Sequence, residues 1–186
     1  MAVKTMAKNT GTGQYNAGWH ELTISKAVDG KWGDKRTIDL NFEDYPDNMR
    51  HRVFEASNKT TGEEFKIANL FRFACAGIIS VLNDPTGKNP VIQYDDEVTN
   101  LVGTRVNVLF VKETSTTDGK EYSRTFDLVP VIQETEHLTW TDDDVARLKR
   151  NVEKQHAKRT ATTTNGVGTV NLDTTTTVTG DAEVPF

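Results

Sequence analysis

Lys31, Trp32, Lys35 and Arg36 fall within six consecutive positions. Cations neutralise phosphates and aromatic faces stack on bases, so this mixture suits single-stranded nucleic acid. Two further groups repeat it. Arg50, Arg52 and Phe54 occupy alternate positions, and in a strand alternate positions share a face. Lys112 and Lys120 flank a polar loop, after which Tyr122, Arg124 and Phe126 alternate. Each group has an ordinary alternative. Trp32 can fold back over the end of the body, and Phe54 can be core beneath two solvated arginines. Phe126 shares parity with Leu128 and can turn inward with it.

Residues for catalysis are missing. His20, His51, His137 and His156 are scattered, and none has a carboxylate or Cys at metal-ligand spacing. The single cysteine, Cys75, lies in an apolar stretch and reads as a small buried hydrophobe. There is no phosphate-binding glycine loop; Gly11 and Gly13 are a pair without a strand or helix signal after them. Asp142, Asp143 and Asp144 read as the favourable acidic start of a helix rather than as a cation cluster. The expectation is a binding protein, not an enzyme, with no cofactor and no metal.

These groups need strands to hold them. Residues 18–28 alternate, with Leu22 and Ile24 on one face and Glu21, Thr23 and Ser25 on the other. The turn 29–34 is rich in glycine and aspartate, and residues 36–43 alternate again around Ile38, Leu40 and Phe42. Arg50 to Ser57 reads as a third strand. Thr60 or Thr61, with a glutamate three residues on, predicts a helix start, and Ile67, Phe71, Ala74, Ile78 and Leu82 continue at helical spacing until Pro85. Residues 95–101 suit a short helical turn. Residues 103–111 and 121–132 read as strands four and five. A helix between strands three and four of five is the layout of an OB-fold, a Greek-key barrel that binds oligonucleotides. The predicted class is mainly β with α: an arm over 1–17, an OB-type barrel over 18–132, a helix over 133–159 and a disordered tail over 160–186. The helix, from about Asp142, has only a narrow apolar stripe of Val145, Leu148 and Val152, suited to the barrel or to another subunit of a homo-oligomer.

The charge balance limits the binding reading. The 186 residues carry a net charge of −5. Residues 1–132 hold 16 Lys and Arg against 18 Asp and Glu, so cations must be segregated locally to attract phosphates. The tail holds ten threonines in 27 residues, no Lys or Arg, and three acids. One cysteine permits no intrachain disulfide, which suits a reducing cytoplasm. No apolar run approaches a membrane span, and residues 1–13 lack the apolar segment of a secretory signal.

The tail ends in Asp181, Ala182, Glu183, Val184, Pro185 and Phe186. A partner with an apolar pocket beside an Arg or Lys would hold the Phe186 ring and carboxylate together, with Asp181 and Glu183 adding attraction. This tip resembles that of bacterial and phage single-stranded DNA-binding proteins. Residues 18–28, 36–43, 64–73 and 101–108, and the run Gly119, Lys120, Glu121, Tyr122, also resemble phage replication proteins of that OB-fold type. The resemblance implies a protein that coats single-stranded DNA in replication and recombination, in the bacterial cytoplasm, with a tip that docks polymerase, primase-helicase or nuclease partners. A competing expectation is a structural or assembly protein, such as a virion accessory component, whose OB-like barrel binds protein.

Overall fold

A computed structural model describes residues 15–83 and 90–164. The arm before Tyr15 and the tail after Thr164, with Asp181, Glu183, Pro185 and Phe186, lie outside the described residues. The chain is mainly β. Strands β1 (Gly18–Trp32), β2 (Lys35–Phe42), β3 (His51–Phe54), β6 (Arg105–Thr114) and β7 (Glu121–Pro130) form one antiparallel sheet in the order β3-β2-β1-β6-β7. A ribbon of β4 (Ile78–Asn83) and β5 (Pro90–Tyr94) and a minimal hairpin of β8 (Gln133–Glu134) and β9 (Thr139–Trp140) stand apart from it.

β1 serves two partners. Gly18–Thr23 pair with β6, and Ile24–Trp32 pair with β2. The ladder slips between Ile24 and Lys26, and such a bulge bends a strand and reverses the parity of the residues beyond it. Leu22 and Ile24 therefore face the core before it, and Ala27 packs on the core after it, while Lys26 and Val28 turn to solvent. The edges β3 and β7 meet where the Thr125 hydroxyl donates to the Arg50 carbonyl at 3.2 Å. Among the described residues no ladder joins them, so the expected barrel is not closed by backbone pairing.

The expected helix from residue 60 to 82 is corrected to α1 (Lys66–Ala74). Thr60 and Thr61 do not cap it; their N–H groups donate to the Asn58 side chain in a turn. The Glu64 carboxylate caps instead, accepting from Ile67 and Ala68 N–H at 2.7 and 2.9 Å. Cys75 ends the helix in the left-handed region, φ 51°, and the Ala76 N–H closes on the Phe71 carbonyl. Residues 78–82 are β-branched or leucine apart from Ser80, and they pair with β5 instead of continuing the helix. Gly77 permits the exit: at φ 62°, a Cβ there would sit 2.3 Å from the Asp95 carbonyl oxygen. The predicted turn before strand four is a 3-10 helix, Val98–Leu101.

The core lies between the inner face of the sheet and α1. Ile38, Leu40, Phe42, Val106, Val108 and Phe110 meet Ile67, Leu70, Phe71 and Ala74. Tyr15 and Tyr45 close one end against Phe110, at ring distances of 6.1 and 5.4 Å, so residue 15 belongs to the body and not to a free arm. α2 (Asp142–Thr164) starts where its acids predict and runs five residues past Arg159. Thr141 and Asp144 cap it reciprocally. Val152 and Leu148 cover Leu109, Val111 and Val129 on the outer face of β6 and β7, so β6 is buried on both sides. Trp140 fastens this region to α1: its indole N–H donates to the Arg72 carbonyl at 3.2 Å. Among the described residues no helix is long and apolar enough to cross a membrane.

Candidate nucleic-acid interface

Register decides which cations and aromatics meet. On the outer face of β1, β2 and β3, Trp32 lies opposite Lys35. The next row is Gly30, Thr37 and Phe54, followed by Val28, Asp39 and Arg52, then Lys26 and Asn41. Trp32 is 65% exposed and Phe54 42% exposed, and the Arg52 guanidinium lies 6.0 Å from the Trp32 ring centroid. Gly30 lets Thr37 pack close across this face, since a Cβ there would stand 3.1 Å from the Thr37 hydroxyl. The result is an open floor with a tryptophan at one end, a phenylalanine beside it and cations around it. Such a floor can stack bases and hold phosphates.

Asp39 sets the electrostatics. Its carboxylate accepts from Arg52 at 2.5 and 2.7 Å and lies 3.4 Å from Arg50. These hydrogen bonds and charges hold its carboxyl below the usual carboxylate range. Asp39 thus orients Arg52 and cancels one of the two arginine charges. Lys26, Lys35, Arg50 and Arg52 against Asp39 leave this face net positive on a chain that is net negative.

The sequence groups divide. Trp32, Lys35, Arg50, Arg52 and Phe54 come together, with Phe54 out of the core. Lys31 and Arg36 oppose each other on the reverse side of the same hairpin. There Arg36 is held by Asp29, at 2.7 Å, and by Asp96, and these acids raise its already high pKa. It braces the first hairpin against the chain leaving the ribbon, so it does not join the floor. Its pairing with two acids was invisible in sequence because Asp96 is 60 residues away.

The last hairpin forms a third region. Tyr122 and Arg124 share the outer face of β7 with Phe126, which packs edge-on against His156 of α2 at 4.8 Å. A slip in the β6–β7 ladder separates Phe126 from Leu128, so Leu128 joins the core and Phe126 does not. Arg124 pairs with Glu113 at 2.8 Å. The Tyr122 hydroxyl donates to Asp118 at 2.6 Å, a bond that raises its pKa. Lys112 lies 3.8 Å from Glu121, and Lys120 is exposed in the loop. The Thr125–Arg50 contact joins this hairpin to the Arg50 end of the floor, while Trp32 marks the other end.

Lys26, Val28 and Asp39 belong to the face and escaped sequence reading. Val28 follows the inward parity of Leu22 and Ile24, and only the bulge turns it out. Asp39 alternates as an ordinary solvent-facing acid until Arg52 is placed opposite it. Trp19 lies under α2, where its N–H donates to Glu153 at 2.7 Å and the Lys149 ammonium sits 5.4 Å from its ring. Among the described residues no three His, Cys, Asp or Glu are grouped to hold a metal ion. The chain matches no family model and no curated protein, so the reading of this face rests on its own geometry.

Proposed function

We propose that the protein binds single-stranded DNA, without strong sequence preference, on the outer face of β1, β2 and β3. The observation that carries this is the grouping of exposed Trp32 and Phe54 with Arg52, Arg50 and Lys35 on one sheet face. Nothing in the fold requires two large aromatics to remain in solvent there, and base stacking gives them a role worth about 1–3 kcal/mol per base. In this reading the sheet is an OB-type barrel opened between β3 and β7. Its strand order and the helix between β3 and β6 support that assignment, as does the meeting of its edges at Arg50 and Thr125. The Asp181–Phe186 tip then recruits replication proteins to the coated strand.

Titration of the full-length protein with oligo(dT), followed by tryptophan fluorescence at two salt concentrations, tests the reading. Salt-sensitive quenching is expected. The absence of a fluorescence or mobility change at low salt would refute it. One observation favours the second reading, a structural or assembly protein that binds another protein. The β4–β5 ribbon exposes Ile79, Leu82 and Val91, and its described side chains carry no charge.

A further inference from the structure

α2 has two unlike stripes. Val145, Leu148 and Val152 recur at spacings of three and four; Val145 is buried, and Leu148 and Val152 pack on the sheet. Arg147, Arg150, Lys154 and Lys158 recur at three, four and four. With about 100° per residue, the second stripe lies on the side of the helix opposite the first. Arg147 is half-buried and bonded to Asp144 at 2.9 Å, whereas Arg150 and Lys154 are exposed. Acids are concentrated at Asp142, Asp143 and Asp144, as the helix dipole favours. From Val145 to Thr164 there are six Lys and Arg and one acid, Glu153, in a chain whose net charge is −5.

The stripe also has a route to the aromatic floor. Its distal end lies over β7, where His156 and Arg159 pack against Phe126 at 4.8 and 5.2 Å. The neighbouring Thr125 bonds to Arg50, which borders the floor. Exposed Tyr122 and Arg124 lie on the same strand face as Phe126. Cations on one helix face rise by ~4.5–6 Å per step, a spacing that suits successive phosphates of an extended strand.

We infer that the exposed stripe of α2 is a second phosphate-binding surface, over which a single strand bound on the β1–β2–β3 face continues past the last hairpin. This rests on the proposed DNA-binding reading of that face. Charge complementarity selects the occupant: a row of cations opposite a helix's packing side meets a polyanion, and the strand passes beside it.

The test uses the full-length protein and its R150Q/K154Q variant, both checked by circular dichroism. They are titrated with oligo(dT) of about 8 and about 30 nucleotides, short and long against one barrel's footprint. The short probe should bind both proteins equally. For the long probe, losing two phosphate contacts should lower the salt slope by ~1.4 and the affinity roughly 25-fold at about 0.1 M salt. An unchanged slope and affinity for the long probe would overturn the inference, as would equal weakening of both probes. Failure of the unmodified protein to bind either probe would instead defeat the reading of the floor, and the α2 surface with it.

Discussion

Asp39→Asn should tighten DNA binding, although it removes a bidentate ion pair of the sheet. Asp39 accepts from Arg52 at 2.5 and 2.7 Å and lies 3.4 Å from Arg50, on the face where a strand would lie. As a fixed anion it competes with phosphates for both arginines. The variant adds one net positive charge to the floor, and the nearly isosteric amide preserves the packing. Each phosphate neutralised on a single strand contributes about 0.7 to the slope of log K against log salt. One added contact therefore predicts a slope steeper by ~0.7, and binding about fivefold tighter near 0.1 M salt. The ion pair is partly exposed and bidentate, so its loss should cost about 1 kcal/mol and lower Tm by roughly 2–4 °C. Oligo(dT) titrations at four salt concentrations, with a thermal melt of each protein, read both effects. An unchanged or shallower slope in a folded variant would show that the β1–β2–β3 face does not carry the phosphates, or that Arg52 serves only when Asp39 orients it.

Trp32→Phe should keep binding within a fewfold but abolish most of the quenching, because Trp19 lies under α2 and Trp140 is 6% exposed; persistent quenching would place the strand elsewhere. His51 is buried opposite Leu40, and burial, helped by Lys66 and opposed by Asp127, lowers its pKa from 6.5 to about 4. Between those values the unfolded chain takes a proton that the folded chain refuses, so stability is full above about pH 6.5 and falls as pH drops towards 4. At ~1.4 kcal/mol per pKa unit the loss is about 3 kcal/mol. Urea midpoints at pH 7 and 4.5 for the parent and His51→Leu should show a smaller acid loss in the variant, and parallel losses would contradict the assignment. Gly77→Ala should cost at least about 2 kcal/mol in urea unfolding, from left-handed strain and collision with the Asp95 carbonyl; a loss under about 0.5 kcal/mol would contradict that geometry.

Sequence alone determined the five principal strands, the helix between the third and the last two, and the start of α2. Those features rest on alternation and helical spacing, which are local. It also picked out Trp32, Arg52 and Phe54 as residues fit for nucleic acid. It misplaced the end of α1 because residues 67–82 keep a helical spacing that Gly77 and a β-branched run override. Only the tertiary structure decided which of the chosen residues share a face. A bulge at residues 24–26 turned Lys26 and Val28 outward, and a slip in β7 parted Phe126 from Leu128. Asp96 claimed Arg36, and Asp39 claimed Arg52, across distances no local pattern records. Strand parity can be read from neighbours in the chain. The partner opposite a residue depends on register, and register is set by how the whole sheet packs.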